Sequence, residues 1–94
     1  MDAVVSENAE AIRQIARIHG VTRLRIFGSR AEGAGTEKSD LDLLADFEPG
    51  RDLLDMVAFK QDLEALLGCK VDVVEEGALS PYLKERIIGQ AVSL

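Results

Sequence analysis

What this chain lacks narrows its possible roles before any motif is read. It has a single cysteine, so no intramolecular disulfide can form and nothing points to an oxidising compartment. Tryptophan is absent and aromatic residues make up 4% of the sequence, so the core must be built mostly from Leu, Ile, Val and Ala. No apolar run approaches the roughly 18 residues that a membrane span requires. The first residues lack the basic-then-apolar layout of a signal peptide, so the cytoplasm is the expected location. Positive charge is also scarce. Eleven Lys and Arg stand against seventeen Asp and Glu, a net charge of −6, which argues against non-specific binding to nucleic acid or to a membrane surface. There is no internal repeat, linker or low-complexity tract, and the 94 residues are expected to form a single domain over positions 1–94.

The composition that remains, 47% hydrophobic and 30% charged, is that of a globular protein. Its charge is uneven. Between Arg23 and Lys38, four basic residues (Arg23, Arg25, Arg30, Lys38) face two acidic ones (Glu32, Glu37). That window is +2 in a chain totalling −6, so the remainder carries −8. A locally positive loop on an acidic protein suits a small anionic ligand better than a polymer.

Periodicity predicts a helix over 6–19, with Ser6 as its N-cap and Ile12, Ile15, Ala16 and His19 along one stripe. His19, the only histidine, suits a helix-end or packing role, since no second His exists to join it in a metal site. Strands follow at Val21–Phe27 and Leu41–Phe47. A second helix is expected over 51–67, with Leu53, Met56, Val57, Leu63, Leu66 and Leu67 as its apolar stripe and Gly68 ending it. A third strand is expected at 70–74, with Cys69 as a buried thiol near its start. Ser80 and Pro81 then start a last helix whose apolar side runs through Leu83, Ile87, Ile88, Ala91 and Leu94.

Chemistry concentrates in positions 25–47, RIFGSRAEGAGTEKSDLDLLADF. An apolar strand ends in Gly28-Ser29, a polar Gly-bearing connection follows, and the next strand opens with Asp40-Leu41-Asp42. Strand alternation places Asp40 and Asp42 on one face. Two nearby carboxylates repel, and burying them unpaired is costly, so a divalent cation is the natural counter-charge. Asp46 shares that face and reads as an exposed or structural acid. For Ser29 to meet Asp40, the first two strands must be antiparallel neighbours. For Asp72 to join them, the third strand must run parallel to the second, with the 51–67 helix as the crossover. The expected architecture is an α/β (α+β) fold, a three-stranded mixed sheet of order 1-2-3 with about four helices on one face and the acids at one end.

Gly28-Ser29, ten residues, Asp40-Leu41-Asp42, and Asp72 on a following strand together resemble the signature of the DNA polymerase beta-type nucleotidyltransferases. The short chain and the wording GSRAEG…SDLDLLADF are most similar to the minimal members, which are commonly antitoxin partners of HEPN-domain toxins. The resemblance covers nearly the whole chain and implies the nucleotidyltransferase fold. Asp40, Asp42 and Asp72 would be the catalytic and metal-binding acids for two Mg²⁺ ions, while Gly28, Ser29 and Arg30 would hold the phosphates of ATP, with Lys38 adding charge. The implied reaction moves AMP from ATP to a hydroxyl, a tyrosine by family expectation, of a partner HEPN toxin. Related sequences often carry a basic residue where this chain has Glu32, so that acid must face solvent or a partner if a triphosphate is to bind.

Two other readings stay open on the residues alone. The chain could neutralise a toxin by binding without catalysis, or it could transfer a nucleotide to a small molecule. The nucleotide preference, the acceptor and the formation of a homo-oligomer are not legible in the sequence.

Overall fold

The structure, a computed structural model, describes residues 2–33 and 39–94. Asp2 caps the first helix, α1 (Ala3–Glu7), its carboxylate accepting a hydrogen bond from the Val5 amide at 3.2 Å. Asn8 then interrupts the helical backbone, and its side-chain amide donates to the Val4 carbonyl at 2.7 Å. Helix α2 (Ala9–Ile18) starts beyond it. The single helix expected over 6–19 is therefore two, and Ser6 lies inside α1 instead of capping. An Asn side chain competes locally for backbone groups, which breaks an otherwise periodic run. The expected stripe survives on α2: Ile12 and Ala16 are buried, with Ile15 packed beside them.

Strands β1 (Val21–Phe27) and β2 (Leu41–Phe47) pair antiparallel, and β3 (Val71–Val74) runs parallel to β2. Between β2 and β3 lies α3 (Leu53–Leu67). It is opened by a reciprocal capping box between Asp52 and Asp55 and closed by Gly68 in the left-handed conformation. The expected 1-2-3 order and both strand directions are present. The sheet nevertheless has four strands, in the order β3-β2-β1-β4. Helix α4 (Pro81–Gln90), capped by Ser80, stops before Ala91, and β4 (Val92–Ser93) pairs with Arg25 and Ile26 of β1. Ala91 and Leu94 thus leave the helix to which their spacing assigned them. The outer edge of β1 offers unpaired backbone groups, and satisfying them outweighs another half-turn of helix.

Helices α1, α2 and α3 cover one face of the sheet. Val5, Ile12, Phe59 and Leu63 interlock there with Ile26, Leu41, Leu43, Ala45 and Val71. The stripe read on α3 was partly misplaced. Leu53 and Leu66 are exposed, and Phe59, absent from that reading, is fully buried against the rings of Phe47 and His19. Apolar residues surround α3 on most sides, so spacing alone could not say which face packs. His19 ends α2 with its Nε2 2.6 Å from an Asp62 carboxylate oxygen, joining α2 to α3. Phe59→Ala is expected to lower stability by about 3–5 kcal/mol through the cavity it leaves, a loss that urea denaturation would measure.

Candidate active site

The β-ladder brings the acids together. Asp42 lies opposite Phe27 on one side and opposite Asp72 on the other, so the end of β1 and the starts of β2 and β3 meet at one place. Asp40 precedes β2 by one residue and, by alternation, shares the face of Asp42. Leu41 and Leu43 point into the core from the opposite face, which leaves the acid row on the side away from the main helices. Asp40 is half exposed and lies 4.0 Å from the Lys70 ammonium, a distance and exposure at which an ion pair contributes little. Asp42 is half-buried. Burial first, then the like charge of Asp72 and of Asp40, pushes its carboxyl above the usual range.

Among the described residues no three His, Cys, Asp or Glu side chains converge tightly enough to hold an ion as they stand. Backbone register aligns Asp42 with Asp72, and Asp40 lies two residues before Asp42. Their chemistry fits a hard divalent cation. The donors are all carboxylate oxygens, and the charges of Asp72 and Asp40 acting on Asp42 are negative.

Gly28 follows β1 in the left-handed region, at φ 76°, and a Cβ placed there would collide with the Asp42 carboxylate. Both facts require glycine: the turn needs positive φ, and the acid row needs the backbone close by. The chain then folds back, with the amides of Ala31 and Glu32 donating to the Gly28 carbonyl at 3.2 and 3.3 Å. Ser29 and Glu32 are exposed at this turn, so the acid of Glu32 faces solvent.

Arg30 behaves differently from its expected role. Its guanidinium is 1% exposed and turned inward. Nε and Nη2 donate to the two Asp2 carboxylate oxygens at 2.8 and 3.3 Å, and Nη1 donates to the Ser39 carbonyl and to Cys69 Sγ. A charge committed to this buried fork is not presented to a ligand; it ties the N-terminus and the β3 approach to the loop beside Ser29. Arg25 is likewise buried, 3.0 Å from Glu76. Two of the four cations in the positive window are thus consumed by internal ion pairs, and Arg23 lies toward the far end of β1. Lys38 lies outside the described residues. Sequence reasoning missed Asp2 as the partner of Arg30, because twenty-eight residues separate the two and only the fold brings them together.

The nucleotidyltransferase domain family matches residues 8–94, so the chain belongs to that family. A candidate protein adenylyltransferase of Methanocaldococcus jannaschii is 42% identical over 90 residues, covering 96% of this chain and 97% of the relative. The protein adenylyltransferase MntA of Thermococcus cleftensis is 34% identical over 80 residues, covering 85% and 81%. A solved candidate minimal nucleotidyltransferase superposes with a TM-score of 0.85 at 46% identity, covering 100% of this chain and 97% of that one. Two further structures share the fold at lower identity. One, a toxin–antitoxin with AMP-PNP, has a TM-score of 0.77 at 23% identity, covering 92% of this chain and 71% of that one. The other, a tri-AMPylated Shewanella oneidensis HEPN toxin in complex with an MNT antitoxin, has a TM-score of 0.70 at 20% identity, covering 94% and 69%.

Two outcomes are expected from the local chemistry. Gly28→Ala should lower the thermal midpoint, since the left-handed backbone alone costs about 1–2 kcal/mol with a side chain present. Asp2→Asn keeps a capping side chain but removes the charge facing Arg30, and should cost about 3 kcal/mol near neutral pH. The Arg30 hydrogen bonds hold the Asp2 carboxyl below its ordinary range. The pair's contribution is therefore complete above that range and is lost as pH falls through the lowered value. Urea midpoints of the parent and of Asp2→Asn should converge only in that acid limb. A constant gap down to the lowest accessible pH would contradict the assignment.

Proposed function

We propose that this chain is a Mg²⁺-dependent protein adenylyltransferase that moves AMP from ATP to a tyrosine hydroxyl of a HEPN toxin, and so acts as its antitoxin. The observation that carries the reading is the juxtaposition of Asp42 and Asp72 across the β2–β3 ladder, with the backbone at Gly28 close against Asp42. It is supported by relatives named protein adenylyltransferase and by fold neighbours solved with AMP-PNP or with an AMPylated HEPN toxin.

Asp40, Asp42 and Asp72 are the groups that would hold the divalent cation. When bound there, Mg²⁺ would neutralise phosphate charge and lower the pKa of a coordinated hydroxyl. In the reaction the acceptor oxygen attacks the α-phosphorus of ATP, the bond from that phosphorus to the bridging oxygen breaks, and pyrophosphate departs. The acceptor proton passes to the carboxylate row, where Asp72 is the acid on the strand beside Asp42. Ser29, with the backbone at Gly28, would steady the β- and γ-phosphates, and the missing Cβ at Gly28 lets them approach the acids. Arg30 serves this site indirectly, by fixing the loop from below.

Incubation of the chain with labelled ATP, Mg²⁺ and its partner toxin should label the toxin. Chelation by EDTA should stop labelling and excess Mg²⁺ restore it. Combining Asp40→Asn with Asp42→Asn should reduce the rate more than about a hundredfold, since even outer-shell partners of metal ligands act on a ten- to hundredfold scale. Equal labelling by the double variant would refute the metal mechanism.

A second reading has an observation of its own. Helix α4 buries none of its residues, and Tyr82 and Leu83 stand exposed on it, as on a surface that contacts another protein. Neutralisation could then be steric, in which case the double Asp variant would silence the toxin as fully as the parent while labelling nothing.

A further inference from the structure

The three acids are not held in the same way. Asp42 and Asp72 belong to the β2–β3 ladder, where they stand opposite one another. Asp40 is one residue outside β2, and the pairing with β3 begins only at Leu41, opposite Val71. After Asp40, the Leu41 amide donates to the Lys70 carbonyl at 2.9 Å. Before it, the Ser39 carbonyl accepts a hydrogen bond from Arg30 Nη1 at 3.0 Å. Asp40 is thus suspended between a strand end and a side chain. Its own carboxylate is half exposed, and the Lys70 ammonium at 4.0 Å restrains it little.

Arg30 is in turn set by Asp2. A guanidinium is planar, so two N–H donors on one carboxylate fix its direction as well as its place. Nε and Nη2 make those bonds at 2.8 and 3.3 Å, which leaves Nη1 aimed at the Ser39 carbonyl and at Cys69 Sγ, 3.2 Å away. Asp2 is itself fixed, because it caps α1 through the Val5 amide and the Val5 side chain is fully buried in the core. A chain of contacts runs from the core through α1, Asp2 and Arg30 to the peptide that precedes Asp40.

We propose that Asp2 and Arg30 are positioning residues for the reaction, setting Asp40 in the acid row while the ladder sets Asp42 and Asp72. Arg30 is 1% exposed, so it acts through the Ser39 peptide and not on a ligand. A small divalent cation such as Mg²⁺ demands near-octahedral oxygens, so two carboxylates share one only at a narrow range of spacings. Freed from Arg30, the Ser39–Asp40 peptide would let that spacing drift, and the cost would fall on cation affinity. Outer-shell partners of metal ligands act there on a ten- to hundredfold scale. The contacts stand by themselves; their consequence for a cation rests on the adenylyl-transfer reading.

The test compares the parent with Asp2→Asn, Asp2→Glu and Phe59→Ala. The last is a control that loses comparable stability beside Phe47, at the other end of β2. Two readouts are taken at a temperature where each chain is folded: the ¹H–¹⁵N amide map of the chain in EDTA, and the Mg²⁺ concentration that gives half-maximal labelling of the toxin. Asp2→Asn should move the amides of residues 39–41 further than those of 42–44 and 71–73, and raise the Mg²⁺ requirement about tenfold or more. Asp2→Glu, which keeps the charge, should give the same pattern at smaller size, and it carries the comparison if Asp2→Asn does not fold. Phe59→Ala should leave the amides of 39–41 and the Mg²⁺ requirement at their parental values. Unmoved amides at 39–41 in the Asp2 variants, a parental Mg²⁺ requirement in an Asp2→Asn chain that labels the toxin, or an equal rise in Phe59→Ala would each overturn the proposal. If the parent itself labels no toxin, adenylyl transfer fails, and the amide map alone decides whether Asp2 positions Asp40.

Discussion

Carboxylates repel, and a fold that sets Asp42 opposite Asp72 with Asp40 close by must hold them against that repulsion. The backbone ladder does this. Strand β2 is hydrogen-bonded on both sides, to β1 and to β3, so its position cannot relax without breaking two sets of bonds. Leu41 and Leu43 anchor the same strand from its other face in the core. The turn at Gly28 fits against this arrangement because no Cβ stands between its backbone and the Asp42 carboxylate.

The loop that follows is held by a buried ion pair of unusual reach. Asp2 caps α1, grips Arg30, and so connects the N-terminus to the segment beside the acid row. Burying an ion pair seldom adds net stability over a well-packed apolar substitute. Its value here is positional, because the guanidinium fork also reaches the Ser39 carbonyl just before Asp40 and the Cys69 sulfur just before β3. Three chain segments that border the site meet on one side chain. A cation that the sequence assigns to phosphate is instead part of the frame.

Charge accounting changes with that observation. Read along the chain, the positive window looks like one loop prepared for an anion. In three dimensions it separates: Arg25 goes to Glu76, Arg30 to Asp2, and Arg23 lies toward the other end of β1. At the acid row, neutralisation of a triphosphate would rest mainly on a bound cation and on backbone groups.

Much of this was legible in the residues. The Gly-Ser turn, the Asp-x-Asp strand start and Asp72 on a later strand required an antiparallel pair followed by a parallel one, and the sheet is built that way. Alternation and turn chemistry are local, and local rules read well from sequence. Other features were not legible, one because it turns on a local competition that periodicity does not register and the rest because distant contacts settle them. The break at Asn8 depends on competition between its side chain and the helix backbone. The face of α3 that packs was chosen by Phe47 and His19 meeting Phe59. The change from helix to strand at Ala91 was decided by the open edge of β1. The sequence by itself determined at which strand positions the candidate acids stand, because spacing and alternation are properties of the chain. Which cations remain available to a ligand was decided only by tertiary structure, since a side chain's partner is a matter of what the fold brings beside it.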